Sequence, residues 1–441
     1  MVRGQEVVGL DIIIYALLAL LVLTALGVHI GIALGIVSAA SVYWLTGDVD
    51  VALSVIGSTS YEAIRNHSLA IIPLFVLMGE IINRSGAAGD LYKACDRTLR
   101  RIPGRLAVAT VAGNTVFAAV SGVSIASAAT FSRIAYPEMQ NAAYDRRFAV
   151  GVISGSACLG MLIPPSVLLI VWAILSEGSV GALFLGGIGP GLVLGLTFAG
   201  YCLISATLRP SIAPAMADNA AALTRSQIIG SVGIILLVLI VIGGIWGGIF
   251  TPTEAAGFGV LGAALIARLK GMHGDAFLEA IYDAGRTTAP IMFMLVAGSM
   301  YARFMAMSGG TNLIQDMFLG SGMSVFAIIA IMTLVWLLLG AFVDSISVIL
   351  MTLPIFFPIA MAAGINEIAF AIYGILVIEA GLLTPPVGIL VFTVKATVPD
   401  AAVTLKDVFR GALPYWLLIL GVALLTLSAP QLASWLPAKM L

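Results

Sequence analysis

A six-residue pattern occurs twice in this chain of 441 residues, as Gly160-Met161-Leu162-Ile163-Pro164-Pro165 and as Gly381-Leu382-Leu383-Thr384-Pro385-Pro386. Each Pro-Pro pair follows, by 27 residues, a proline that closes a Ser-bearing apolar stretch: Pro137 in the first copy and Pro358 in the second. One offset of 221 residues superposes Ser124 on Ser345, Pro137 on Pro358 and Gly160 on Gly381. Proline lacks an N–H and clashes with the preceding turn, so each pair must interrupt a helix running through it. Duplicated halves with interrupted apolar helices in matching positions point to the binding site of a secondary transporter.

The rest of the chain excludes a water-soluble fold. It is 61% hydrophobic and 10% charged, where soluble domains average about 25% charged residues. Apolar runs such as 228–250, and 413–427 with its flanks, are of the ~20-residue length that spans a bilayer. A net charge of −1 gives no reason to expect a nucleic-acid partner. Cys95, Cys158 and Cys202 are scattered and lack metal-ligand spacing. The start, 1–11, holds one Arg and two acids without a small-residue cleavage site, so the first helix is expected to be retained.

The pattern predicts an all-α polytopic membrane protein of about ten spans and two shorter hairpins. The spans are placed at 10–28, 30–44, 69–84, 148–176, 182–208, 228–250, 252–268, 288–307, 370–396 and 412–435. Stretches 106–120 and 125–136 are too short to cross a ~30 Å core at about 1.5 Å per residue. They suit two arms of a re-entrant hairpin whose tip is Ser121-Gly122-Val123-Ser124. A second hairpin, 325–358, turns at Val343-Asp344-Ser345. A polar linker, 209–226, separates the halves.

Charge placement predicts that the halves are inverted. Lys93, Arg97, Arg100, Arg101, Arg105, Arg146 and Arg147 surround the ends of the first hairpin, whereas 313–325 and 358–369 contain no Lys or Arg. Cytoplasmic loops carry the excess of basic residues. The first hairpin is therefore expected to open to the cytoplasm and the second to the outside.

Hydrogen-bond counting then suggests the chemistry. The prolines deprive the carbonyls of Gly160, Met161, Gly381 and Leu382 of their helical donors. Such groups are tolerated at membrane depth only when buried in protein or lining a cavity. They are hard oxygen ligands suited to Na⁺, and Ser121, Ser124, Ser345 and Thr384 can complete the shells. Hairpin tips also turn helix N-termini inward, which favours an anion. One cavity flanked by cation sites and helix N-termini suits sodium-coupled uptake of a carboxylate.

At this point the chain resembles the large permease subunit of tripartite ATP-independent periplasmic (TRAP) transporters. The resemblance runs through Ile72-Pro73-Leu74-Phe75-Val76-Leu77-Met78-Gly79-Glu80, residues 121–139, Thr251-Pro252-Thr253-Glu254-Ala255-Ala256 and Leu383-Thr384-Pro385-Pro386-Val387-Gly388. It implies an elevator-type carrier of the bacterial inner membrane, driven by sodium. It also implies a small membrane subunit and a periplasmic binding protein that delivers an organic acid, both expected as separate polypeptides. By that likeness 1–105 and 227–307 are scaffold helices. The transport halves are 106–208, with hairpin 106–137 and broken helix 148–176, and 308–441, with hairpin 324–358 and broken helix 369–397. Sodium site 1 falls to Ser121, Ser124, Gly160, Met161 and Ile163, and site 2 to Asp344, Ser345, Glu379, Gly381, Leu382 and Thr384. Substrate contacts fall to Gly122, Ser124, Ser166, Ser345 and Arg303. The family often has Pro where this chain has His29.

Charges inside apolar stretches are costly and therefore informative. Asp344 has uncharged Val123 as its repeat partner, and Glu379 has Cys158. Asp344 reads as a cation ligand, as an acceptor orienting its tip, or as part of a solvated cavity wall. Glu379 reads either as part of the second cation site or as a partner of Lys395. On these grounds the second site is expected to be the more acidic. Arg303 is a clamp for a substrate carboxylate, a snorkelling side chain or a member of an internal ion pair. Glu80 and Glu254 are expected to make helix-contact or interface hydrogen bonds. A self-sufficient sodium symporter is the alternative function. An intramembrane enzyme is disfavoured, because His29, His67 and His273 lie far apart and none sits in a nucleophile or His-Glu-x-x-His pattern.

Overall fold

The computed structural model describes residues 2–214, 222–320 and 322–440, so part of the polar linker, 215–221 with Asp218, lies outside the described residues. The described chain is helical, with no strand among the described residues. The first half contains α1 (Val2–Ala25), α2 (Ile30–Thr46), α3 (Val49–Arg65), α4 (Ile71–Arg84), α5 (Ala87–Thr98), α6 (Arg105–Ser121), α7 (Ser124–Asn141), α8 (Arg146–Ala157), α9 (Val167–Leu175) and α10 (Val180–Leu208). The second contains α11 (Arg225–Trp246), α12 (Pro252–Leu269), α13 (Gly274–Met307), α14 (Gly310–Gly320), α15 (Val325–Gly340), α16 (Ser345–Ala362), α17 (Glu367–Gly381), α18 (Ile389–Thr397) and α19 (Leu405–Ser428), with short turns at Gln431–Ser434 and Pro437–Met440.

Among the described residues, six helical segments are long and apolar enough to cross a bilayer: His67–Arg84, α10, α11, α13, α16 and α19. The first arms of both hairpins, α6 and α15, are apolar but shorter, as the lengths of 106–120 and 325–340 require. The second arms run longer than expected. The helix placed at 125–136 continues to Asn141 through Pro137, and α16 has 18 residues.

Caps explain several boundaries. Thr251 and Glu254 form a reciprocal capping box, with Pro252 in the first helical turn where its missing N–H costs nothing. Thr224–Gln227 and Thr404–Asp407 start α11 and α19 the same way. His29 caps α2, its Nδ1 accepting from the Gly31 N–H at 3.3 Å. Four features went unread in the sequence: α3, α5, α14 and the first 14 residues of α13, the last carrying Asp275, Glu279, Asp283 and Arg286. These segments are amphipathic or polar, so a search for apolar runs passes over them. Asp48, which accepts from the Asp50 N–H at 2.8 Å, was a legible start signal for α3.

Ion pairs fix the relative direction of the halves. Arg146 at the start of α8 meets Asp400, beyond the end of α18, at 3.4 Å, and Arg147 meets Asp407 at 2.9 Å. At the far end, a Cβ on Gly178, just past α9, would stand 3.0 Å from the carboxylate of Glu367, which begins α17. The two broken helices are therefore antiparallel, as inversion demands. Arg105–Asp96 at 3.1 Å, Arg84 with Glu279 and Asp283, and Lys270–Asp90 are further cross-helix pairs of the basic segments. Helix α13 packs on α2, α3 and α4, and α12 on α4, while α6–α10 and α15–α19 pack chiefly on one another. An aromatic cluster of Trp172, Trp336 and Phe370 joins the halves: Trp172 and Trp336 stand 6.3 Å apart, and Phe370 lies 5.7 Å from Trp172.

Candidate functional site

Both tips are stitched to the breaks by backbone hydrogen bonds. The Val167 N–H, at the start of α9, donates to the Gly122 carbonyl at 3.2 Å. In the second half the Gly388 N–H donates to the Ala341 carbonyl at 3.0 Å. Gly122 holds φ +64, and a Cβ there would stand 2.9 Å from the Pro165 carbonyl oxygen, so only glycine fits. A Cβ on Gly160 would stand 3.0 Å from the Ser124 nitrogen, which sets the first break against the first tip. Gly381 instead lies against Gly340 at the end of α15, where a Cβ would come within 2.8 Å of the Gly340 Cα. Both Pro-Pro bonds are cis. Pro164 and Pro165 are buried, whereas Pro385 and Pro386 are exposed.

The centre of the site is one carboxylate. Ser124 Oγ donates to Glu379 Oε2 at 2.5 Å, and Ser345 Oγ donates to Glu379 Oε1 at 2.7 Å. All three residues are buried; Glu379 is 1% exposed. Glu379 therefore serves both tips, and neither reading from the sequence described it fully. No ion pair joins it to Lys395 among the described residues, and its hydrogen bonds come from both halves.

Asp344 is the N-cap of α16. Its Oδ2 accepts from the Ile346 and Ser347 N–H groups, each at 3.1 Å, and its Oδ1 accepts from the Ser347 hydroxyl. This is the tip-orienting role, and it satisfies the N-terminus that was expected to attract an anion. The N-terminus of α7, by contrast, has no side-chain cap. The anion-attracting pole is thus retained at the first tip only.

The freed-carbonyl expectation needs correction at three of four positions. The Met161 carbonyl accepts from the Ser166 hydroxyl at 2.5 Å. The Gly381 carbonyl accepts from the Thr384 N–H at 2.8 Å, and the Leu382 carbonyl from the Leu390 N–H at 3.3 Å. The turn after each break lets side-chain or backbone donors fold back onto the oxygens, which a count of helical bonds omits. A carbonyl has two lone pairs, so one remains for a cation at each oxygen.

Other residues also have occupations of their own. Ser121 Oγ lies 3.2 Å from Ser127 Oγ. Ser166 caps α9 through the Leu169 N–H at 3.3 Å. The Thr384 hydroxyl donates to the Ala380 carbonyl at 2.9 Å and accepts from Trp416 Nε1 at 3.0 Å, so it anchors α19 to the break. The Ile163 side chain packs on Gly191 and lines an apolar cavity of about 460 Å³ beside α10 and α11. Arg303 is exposed near the end of α13 and is not brought to the buried tips, as a snorkelling side chain would be. Sequence reasoning missed Ser127 and Ser347, the tip partners, and Asn114, whose Nδ2 donates to Ser156 Oγ at 2.7 Å. A polar residue repeated every three or four positions behind a tip was the available signal.

A cavity of about 290 Å³ adjoins the first tip, between Ser121, Val123 and Ile125 and the Gly79, Glu80 and Asn83 face of α4. There the backbones almost touch: a Cβ on Gly79 would stand 2.8 Å from the Val120 carbonyl oxygen. Asn83 accepts from Thr130 of α7 at 3.0 Å.

Comparison with known proteins places these features in a family. The profile described as "Tripartite ATP-independent periplasmic transporter, DctM component" matches residues 17–432. Over 369 residues the chain is 33% identical to the C4-dicarboxylate TRAP transporter large permease protein DctM of Pseudomonas aeruginosa, covering 83% of this chain and 84% of that one. Over 378 residues it is 31% identical to the ectoine/5-hydroxyectoine TRAP transporter large permease protein UehC of Ruegeria pomeroyi, covering 85% and 86%. The solved structure of the Alcanivorax borkumensis YdaH transporter superposes with a TM-score of 0.62 over 89% of this chain and 90% of that one, at 15% identity, a likeness of fold alone.

Proposed function

The chain belongs to the DctM family, the large permease component of TRAP transporters, and from that premise we propose that it imports an organic acid with sodium by an elevator movement. It is a multi-pass protein of the inner membrane, and its family implies a small membrane subunit and a periplasmic binding protein as partners.

The observation that carries the proposal is the convergence of two repeat-related serines, Ser124 and Ser345, on one buried carboxylate, Glu379 of the second broken helix. In this reading each tip, with the carbonyls beside it, holds a sodium ion. The substrate carboxylate lies at the uncapped start of α7, near Gly122 and Ser124, where backbone N–H groups and a bound cation offset its charge. The hairpins and broken helices of 106–208 and 308–441 form the moving part. Scaffold helices such as α4 meet it through Gly79, whose missing side chain leaves a smooth surface for sliding. The cavity beside Glu80 and Asn83 is the release route.

Reconstitution tests the reading. The permease, with its small subunit and the binding protein encoded beside it, is placed in liposomes with the ligand that stabilises that binding protein against heat. Uptake is expected only with both an inward sodium gradient and the binding protein. Uptake with substrate and sodium alone would instead make this a self-sufficient symporter, and uptake indifferent to sodium would end the coupled mechanism.

A further inference from the structure

The 221-residue offset relates Ser124 to Ser345 and Cys158 to Glu379. All four meet at one place: both serine hydroxyls bind the Glu379 carboxylate, and Cys158 Sγ lies 3.8 Å from the Glu379 carbonyl oxygen. The pseudo-twofold relation of the halves therefore passes close to this carboxylate. A symmetric pair of sites would carry two acids there or none. This chain carries one.

No Lys, Arg or His pairs with Glu379 among the described residues. Two neutral hydroxyls satisfy its oxygens without cancelling its charge, and a buried charge without a counter-ion is strongly unfavourable. Each serine oxygen has donated its proton to Glu379 and still offers lone pairs to its own side. A cation at either tip therefore faces an oxygen polarised by the same carboxylate. Asp344, the other acid of the tips, is committed to the N-terminus of α16.

We propose that Glu379 is the shared counter-charge of both cation half-sites, so that the two tips do not bind sodium independently. This rests on the sodium-coupled reading above. It differs from the assignment of Glu379 to the second half-site, because Ser124 of the first half is bound as closely as Ser345.

The test uses the permease with its small subunit in detergent, titrated with sodium chloride against choline chloride, with thermal stabilisation as the readout of sodium affinity. Glu379→Gln is expected to raise half-saturating sodium by about tenfold or more, the scale of losing a hydrogen-bonded charge. Glu379→Asp keeps the charge and is expected to retain part of that affinity. Double-mutant cycles with Ser124→Ala and with Ser345→Ala are expected to be non-additive for both serines. Coupling to Ser345 alone would return Glu379 to the second half-site and overturn the proposal, as would parent-like sodium affinity in Glu379→Gln. Should Glu379→Gln fail to fold, the cycle between Ser124→Ala and Ser345→Ala decides: additive effects overturn a shared charge. A parent protein that sodium does not stabilise over choline would sink the sodium reading itself, a result distinct from the others.

Discussion

At Gly122 the backbone takes a left-handed conformation within van der Waals reach of Pro165, while its carbonyl accepts from Val167. Two requirements, the positive φ and the missing Cβ, coincide in one residue at the first tip. Gly122→Ala is expected to cost roughly 1–2 kcal/mol for the left-handed backbone alone, and more from contact with Pro165. A lower melting temperature together with weaker sodium stabilisation is the expected result. Gly86→Ala is the control, since Gly86 has φ +73 but open space around it. It should lower the melting temperature and leave sodium affinity as it was. Equal sodium responses in the two variants would mean that the tip contact has no part in cation binding.

Among elements, the connection between α18 and α19 ties the two halves together. Asp400 accepts from Tyr136 at 2.7 Å and from Gln140 at 3.2 Å, both on α7, and pairs with Arg146 of α8. The Tyr136 hydrogen bond, then the Ala402 N–H and the Arg146 charge, hold the Asp400 carboxyl below its ordinary range. A carboxylate whose folded-state value is depressed adds stability above its unfolded value, about 3.9, and that stability is lost as pH falls through the folded value. The melting temperature should therefore hold above about pH 4 and fall below it. Asp400→Asn should start lower and show a shallower acid decline. An identical acid profile in the variant would remove this connection from the acid response.

For the whole molecule, inversion places 101–105, 140–147 and 398–407 at one membrane face and 176–180 and 362–367 at the other. The excess of Lys and Arg predicts that the basic end is cytoplasmic. In a variant with Cys95, Cys158 and Cys202 replaced by Ser, Ala362→Cys should react with a membrane-impermeant maleimide in spheroplasts. Ala401→Cys should react only after the membrane is permeabilised. Both residues are exposed, so labelling of the two from the same side would refute the inverted arrangement.

The duplicated Pro-Pro pattern, the Ser-bearing tips, the hairpin arms and the inversion were all legible in the chain. Each depends on local chemistry: a proline that cannot continue a helix, an apolar run of a given length, a surplus of Lys and Arg on one side. The family motifs, too, are contiguous stretches. Capping boxes such as Thr251–Glu254 were equally local and could have been read. What tertiary structure decided was the partner of each polar group. Asp344 became a cap, Thr384 an anchor for Trp416, and Met161 a partner of Ser166, because loop geometry after a break is set by packing on the neighbouring helix. Ser124 and Glu379 are 255 residues apart. Only the packing of both hairpin tips against the second broken helix brings a serine from each half onto one carboxylate, and no periodicity within either half records that packing.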